Sequence, residues 1–217
     1  MTNKTYNQYC AIAYTLDIVG ERWTLLIVRN LLAGQKRFSD LMKGLPGIST
    51  NILTDRLKSL EENGLITTRY LAPPAASTVY ELTPAGFGLA DMLGAIARWG
   101  AHSIGKPQTG QAIPPESVIF MLYGVFGRDI FLDIDLICYV NIRDDLFSQT
   151  FLVHLSSGGI MISEQLSRPS QVHVQIGLED LLHLSSGQIT LSALLNANKV
   201  QLSGASERIE QLMLWVQ

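Results

Sequence analysis

Apolar residues recur at helical spacing between residues 47 and 65. Leu53, Leu57 and Leu60 form one stripe, because residues three and four positions apart share a helix face. Ser49 precedes the stripe and is typical of an N-cap, since its hydroxyl can accept a hydrogen bond from a first-turn N–H. Gly64 follows the stripe and indicates the end of the helix, because glycine readily takes the left-handed closing conformation. We therefore predict one helix that is marked at both ends.

The side of this helix opposite the leucine stripe is polar. At 100° per residue, its first two turns present short polar side chains and one long cation, which are suited to hydrogen-bonding base edges and phosphates. A solvated amphipathic helix has the same pattern, so the flanking elements decide between the two interpretations. The outward residues are Thr50, Asn51, Thr54, Asp55 and Lys58.

The flanking pattern predicts a helix-turn-helix followed by a β-hairpin. Apolar periodicity indicates helices over 10–19 and 23–32, and a short third helix capped at Ser39. The turn at 45–48 contains Pro46 and Gly47, which do not continue a helix. After Gly64, two β-rich runs at 65–70 and 78–82 flank a proline-containing loop, and Pro84 then begins a helix that runs to residue 99. A hairpin directly after a recognition helix is the wing of a winged-helix domain.

The second half predicts a separate α+β domain. Residues 107–115 are rich in proline and glycine, as in a linker between domains 1–106 and 116–217. An apolar segment follows at 117–126, then strands at 136–142, 151–155, 160–162 and 172–176, with a hairpin turn at 157–159. Helices at 178–184 and 191–195, a last strand at 199–202 and a last helix at 205–216 complete the pattern. Alternation along the strands favours a largely antiparallel sheet.

Composition excludes several classes of protein. Residues 1–106 carry 11 Lys and Arg against 8 Asp and Glu, whereas residues 107–217 carry 5 against 11. The first half thus holds the positive charge, with Lys36, Arg37 and Lys43 just before the capped helix.

No apolar run reaches membrane length, and the N-terminus lacks the apolar core of a secretory signal. Two cysteines are too few for a disulfide framework, so a cytoplasmic location is expected. We find no catalytic constellation, metal site or phosphate loop, and we predict neither an enzyme nor a cofactor.

Several motifs of the first half occur in the order found in HxlR-type winged-helix transcriptional regulators, relatives of the MarR group. These are L-D-I-V-G-E-R-W-T-L-L, R-F-S-D-L, L-P-G-I-S-T-N-I-L-T-D-R-L and V-Y-E-L-T-P-A-G, and the resemblance covers residues 8–104. It implies a homodimer, formed by helices 11–19 and 85–103, on a pseudo-palindromic double-stranded operator. The wing tip at 71–77 departs from a basic wing because it has no Lys or Arg. The candidate DNA-binding residues are Arg37, Ser39, Ser49, Thr50, Asn51, Thr54, Lys58 and Arg69.

The run from residue 172 to 212 is similar to the C-terminal part of sterol-carrier-protein-like domains. The resemblance rests on the hydrophobic pattern and a few glycines, and it implies an α+β layer around an apolar tunnel. The alternative is that the same side chains are simply core residues, as apolar strand positions usually are. The candidate lining residues are Phe120, Tyr123, Phe126, Val140, Phe151 and Val153.

Cys10 lies where many HxlR-type regulators carry an N-terminal cysteine, and some of these sense electrophiles or oxidants through it. A reactive thiolate needs nearby positive charge, and no cation lies close to Cys10 in the sequence. The alternative is a small, inert residue buried at the start of a helix.

We therefore predict an α+β chain, with an N-terminal winged helix and a C-terminal sterol-carrier-like layer. The expected function is a dimeric DNA-binding transcriptional regulator whose C-terminal domain binds an apolar effector or adds to the dimer, without membrane insertion. The alternative is a lipid carrier or interaction protein whose winged helix serves mainly for dimerisation.

Overall fold

The computed structural model describes residues 5–74, 76–127, 134–156 and 159–216. The chain divides into two compact units. The first comprises Met1–Leu93 and Pro114–Glu116, and the second comprises Gly94–Ile113 and Ser117–Gln217. None of the helices in the described ranges is long and apolar enough to cross a membrane.

The first unit has the winged-helix order of elements. Its helices are α1 (Ala11–Val19), α2 (Thr24–Leu32), α3 (Phe38–Gly44), α4 (Thr50–Glu62) and α5 (Pro84–Phe87), and α6 (Ala90–Ala101) begins in it. The core of this unit is built from apolar side chains of α2, α3 and α4. The side chains at its centre are less than 4% exposed: Ile27, Val28, Leu31, Leu41, Leu53, Leu57 and Leu60.

The wing is an antiparallel hairpin of β1 (Ile66–Leu71) and β2 (Ser77–Leu82). Lys36 extends it, because its backbone exchanges two hydrogen bonds with Tyr80 of β2, at 3.0 and 2.8 Å. This pairing fixes the chain between α2 and α3 against the wing. Residue 75, within the predicted wing tip, lies outside the described residues.

Two predicted helix boundaries in this unit are wrong. Helix α3 begins at Phe38 with Arg37 at the N-cap, because the Asp40 carboxylate accepts the Arg37 N–H at 3.1 Å; Ser39 is therefore inside the helix and does not cap it. The helix predicted from Pro84 to residue 99 is two helices, α5 and α6. Gly86 and Gly88 lower the helix propensity at this break.

The second unit is an α+β layer. Its helices are α7 (Pro115–Phe126), of which residues 115 and 116 belong to the first unit, α8 (Leu178–Ser185), α9 (Leu191–Asn196) and α10 (Ser206–Val216). Its strands are β3 (Asp135–Arg143), β4 (Ser148–Ser156), β5 (Gly159–Ser163), β6 (Val172–Ile176) and β7 (Val200–Gly204). The predicted strands and helices are thus confirmed to within a few residues at each end. Of the predicted hairpin turn, residues 157 and 158 lie outside the described residues.

The five strands form one sheet in the order β5-β4-β3-β6-β7. All neighbours are antiparallel except β3 and β6, which are parallel. On one face of the central strands the side chains are less than 7% exposed: Leu136, Cys138, Val140 and Ile142 of β3, Phe151, Val153 and Leu155 of β4, and Val172, Val174 and Ile176 of β6. Burial alternates along β3 and β6, whereas in β4 Leu152 is fully buried as well. Helix α10 is tied to α7 by a buried hydrogen bond of 2.7 Å, which Trp215 Nε1 donates to the Phe126 carbonyl.

Candidate nucleic-acid interface

Helix α4 has the caps that its sequence predicts. Ser49 is the N-cap, and its Oγ accepts a hydrogen bond from the Ile52 N–H at 3.3 Å. The helix ends at Glu62, and Gly64 follows with φ +68°, a conformation that glycine adopts without steric cost. Leu53, Leu57 and Leu60 are buried against the core. The leucine stripe therefore fixes which side of α4 faces the solvent.

The outward face of α4 is polar and exposed. Thr50, Asn51, Thr54, Asp55 and Lys58 are all exposed. The Thr54 hydroxyl donates to the Thr50 carbonyl at 2.9 Å, so its remaining capacity is that of a hydrogen-bond acceptor. The amide of Asn51 and the ammonium of Lys58 have the chemistry that reads adenine edges and binds phosphates.

The ammonium of Lys58 is held only loosely. Its Nζ lies 3.8 Å from Glu62 Oε1, one helical turn away, and both side chains are mostly exposed. An exposed pair of this kind contributes little to stability, so a phosphate can replace Glu62 as its partner at small cost.

The wing contributes one arginine at its base. Arg69 Nη2 lies 3.1 Å from Glu81 Oε2 on the opposite strand, and Nη2 also donates to Gln35 Oε1. Arg69 is therefore engaged within the hairpin although half of its side chain is exposed. Pro73 and Pro74 occupy the described part of the tip, where Tyr70 is an exposed aromatic side chain nearby.

The remaining basic residues singled out in the sequence differ in their exposure to solvent. Arg37 and Lys43, at the two ends of α3, are both exposed. Lys36 is largely buried, and its Nζ donates to Glu116 Oε1 at 3.1 Å. Sequence reasoning missed Glu116, because 80 residues separate it from Lys36.

Glu116 lies in a buried polar cluster of the first unit. Gly44 makes room for it, since a Cβ there would lie 3.1 Å from Glu116 Oε2 and 2.6 Å from Asn30 Nδ2. Burial lowers the pKa of the Arg29 guanidinium, and the Glu116 carboxylate opposes that shift. The cluster therefore depends on one carboxylate to balance two cations, Arg29 and Lys36.

Helices α1 and α6, with the residues beside them, each expose several large apolar side chains. On and just before α1 these are Tyr9, Ile12, Tyr14 and Leu16, and on and after α6 they are Ile96, Trp99 and Ile104. Groups of exposed apolar side chains such as these are candidate contact surfaces. Cys10, at the N-cap of α1, is exposed, so its interpretation as a buried residue is wrong.

The second unit contains a small apolar cavity of about 20 Å³. Of the six residues predicted to line a tunnel, Phe126 and Val140 border it, whereas Phe120, Tyr123, Phe151 and Val153 do not. Twelve side chains surround it: Leu122, Val125, Phe126, Val140, Val174, Ile176, Leu181, Leu184, Leu191, Leu202, Leu212 and Val216. Among the residues that the structure describes, no group of His, Cys, Asp and Glu side chains has the arrangement of a metal site.

Known proteins similar to this chain match its first half. The family model for the HxlR-like helix-turn-helix matches residues 18–108. The HTH-type transcriptional regulator YvaP of Bacillus subtilis (strain 168), itself uncharacterised, is 38% identical over 89 residues, which are 41% of this chain and 82% of the relative. The HTH-type regulator YtcD of the same organism, also uncharacterised, is 32% identical over 106 residues, 49% of this chain and 82% of the relative.

One solved structure similar to the chain is that of a MarR-family transcriptional regulator from Porphyromonas gingivalis W83. It is 30% identical, has a TM-score of 0.43, and the match covers 46% of this chain and 99% of that one. The residues that match the family model include the whole of α4 and both strands of the wing. The chain therefore belongs to the HxlR-like helix-turn-helix family, and it is a DNA-binding transcriptional regulator and not an enzyme.

Proposed function

We propose that the chain regulates transcription as a homodimer that inserts the outward face of α4 into the major groove of an operator. The observation that carries this proposal is the combination of a buried leucine stripe with an exposed polar face on one capped helix. A helix presented in this way fits the major groove, where side chains read base edges. Asn51 is the proposed reader of a base edge, and Lys58 is a proposed phosphate ligand.

The homodimer is supported by the apolar side chains that α1 and α6 expose. Tyr9, Ile12 and Trp99 are more than 70% exposed in the single chain, and a second copy would remove their apolar surface from water. A two-fold dimer presents two copies of α4, which matches a pseudo-palindromic operator.

The experiment begins with the duplex that the wild-type protein selects from a random-sequence pool. We expect Asn51→Ala to weaken binding to this duplex by about 1–3 kcal/mol, the value of one bidentate base pairing, and to leave binding to a scrambled duplex unchanged. We expect Lys58→Ala to weaken binding to both duplexes. It should also reduce the slope of log K against log salt by about 0.9 for each phosphate that Lys58 neutralises.

The matched control is Lys106→Ala in the second unit. Lys106 is exposed like Lys58, and its Nζ lies 3.5 Å from Glu179 Oε2, so this variant removes the same charge from a comparable exposed pair. The control should bind like the wild type. If Asn51→Ala and Lys58→Ala also bind like the wild type, the α4 face is not the DNA-binding surface.

The C-terminal unit is our candidate for the effector site. This proposal is supported by its cavity, which is lined entirely by apolar side chains. A cavity of about 20 Å³ has space for one or two water-sized spheres, and a drug-sized ligand needs a few hundred Å³. We therefore propose that an apolar effector enters by displacing α10, whose Leu212 and Val216 close one side.

A neutral fluorescent probe, N-phenylnaphthylamine, tests the effector site. Leu202→Phe fills the cavity from β7, where Leu202 is partly exposed and tolerates the added volume. Leu214→Phe is the control, because Leu214 is 60% exposed and outside the lining. We expect the first variant to lose probe binding and the second to retain it. Equal probe binding by both variants would show that the effector site lies elsewhere. If the wild-type protein selects no duplex but transfers lipid between vesicles, the carrier function is favoured instead.

A further inference from the structure

The turn between α1 and α2 is a strained segment next to the DNA-facing helix. Trp23 has φ +82° and ψ −24°, a left-handed conformation that bulky residues rarely adopt. The Arg22 guanidinium lies 5.3 Å from the Trp23 ring centroid, within the range of a cation–π contact. Strain of this kind persists only where surrounding contacts impose it, and such positions cluster at functional segments.

Arg56 of α4 binds this turn through two directed hydrogen bonds. Its Nη2 donates to Glu21 Oε2 at 3.0 Å, and its Nε donates to the Arg22 carbonyl at 3.3 Å. The Arg56 side chain is 24% exposed, and at 100° per residue it lies about 60° from Leu53 on the flank of the apolar stripe. The guanidinium thus points along the side of α4 toward the turn and away from the outward face.

Trp23 also reaches the turn that precedes α4. A Cβ on Gly47 would lie 3.8 Å from Trp23 Cη2, so the indole packs against the backbone between α3 and α4. Gly47 has φ +91°, which permits this turn. The segment 21–23 therefore contacts the helix-turn-helix at two places, namely the α3–α4 turn and the middle of α4 at Arg56.

These two contacts add directed interactions to the apolar packing of α4 against the core. The buried leucines determine which side of α4 faces the core, and directed contacts can refine the rotation angle within that arrangement, because the hydrophobic effect itself has no preferred direction. Hydrogen bonds from a planar guanidinium have a fixed geometry. A rotation of α4 would carry Asn51 away from any base edge, because Asn51 lies on the side opposite the stripe.

We propose that Arg56 and Glu21 are positioning residues that set the rotation of α4, and with it the sequence specificity of DNA binding. This inference rests on the proposed function of the α4 face. Arg56 acts here through α4 and contacts no DNA itself. The competing assignment is that Arg56 leaves Glu21 and binds a phosphate directly.

The test compares Glu21→Gln, Arg56→Lys and Arg56→Gln with the wild type by fluorescence anisotropy at several salt concentrations. The probes are the duplex that the wild type selects from a random pool and a scrambled duplex of equal length. Glu21→Gln removes the partner charge, Arg56→Lys keeps the positive charge but loses the fork geometry, and Arg56→Gln loses both. Glu61→Gln is the matched control, because it makes the same charge change on α4, where Glu61 accepts a hydrogen bond from Thr68 at 3.1 Å.

Each test variant is expected to bind the selected duplex about tenfold more weakly, which corresponds to roughly one base pairing. Binding to the scrambled duplex and the salt slope should stay at wild-type values, because every phosphate ligand remains in place. The double variant Glu21→Gln/Arg56→Lys should bind the selected duplex no more weakly than either single variant, since both substitutions disrupt one shared interaction. A merely structural role would lower the melting temperature and weaken binding to both duplexes in parallel.

Three further outcomes would overturn the inference. Wild-type affinity of the three variants for the selected duplex would remove the positioning role. Equal weakening on both duplexes, with a shallower salt slope in Arg56→Gln, would assign Arg56 to a phosphate. If the wild type selects no duplex, the proposed function fails and this inference fails with it, an outcome distinct from a specific weakening in the variants.

Discussion

The buried pair of Lys36 and Glu116 allows a stability effect to be calculated in advance. The two charged atoms are 3.1 Å apart, and the side chains are only 18% and 10% exposed. At an effective dielectric constant of about 20, their attraction is about 5 kcal/mol before desolvation is counted. Removing one partner of a buried pair costs about 3–5 kcal/mol. Glu116→Gln keeps an acceptor oxygen for Lys36, so we expect the free energy of unfolding to fall by about 2–4 kcal/mol.

The control is the same substitution at an exposed pair. Glu62→Gln breaks the interaction with Lys58, where the atoms are 3.8 Å apart and the side chains 74% and 64% exposed. It should change the free energy of unfolding by about 0.5 kcal/mol or less. The free energy of unfolding is measured in urea, with hydrogen exchange as the probe. Exchange in peptides from α2 reports the unfolding of the first unit separately from that of the second.

A third variant tests the physical reason. Lys36→Met in the Glu116→Gln background removes the uncompensated buried cation, so part of the stability should return. Equal effects of Glu116→Gln and Glu62→Gln, or a further decrease in the double variant, would refute the idea that burial makes this pair matter.

Further predictions concern the surface, the two cysteines and the core of the second unit. Ile12→Asp and Trp99→Asp each place a charge on an exposed apolar surface and should shift sedimentation from dimer to monomer; an unchanged dimer would exclude that surface. Burial raises the pKa of the Cys138 thiol to about 12, so it stays protonated at about pH 8. An aromatic disulfide reagent should therefore modify Cys10 in the native protein and Cys138 only after unfolding. Phe151→Ala should cost about 3–5 kcal/mol in chemical unfolding, because Phe151 is fully buried.

The elements of the fold could be predicted because their signals are local. Both caps of α4 and its leucine stripe belong to one short segment, and the structure has the Ser49 hydrogen bond that the sequence indicates. The period of two in β3 and β6 likewise specifies which side chains are buried. The N-cap of α3 was missed because Arg37 is not a usual N-cap residue, and its role depends on the Asp40 carboxylate.

Neighbouring residues were enough to establish the winged-helix order, the polar face of α4 and the buried faces of the second-unit strands. The folded chain was needed to establish that Lys36 is neutralised by Glu116, that Arg56 binds the turn at Glu21, and that the cavity of the second unit is small. These features join residues tens of positions apart or depend on how closely side chains pack. The periodicity of apolar residues shows which face of a helix or strand is buried. It does not show which distant residue pairs with that element or how closely the side chains pack.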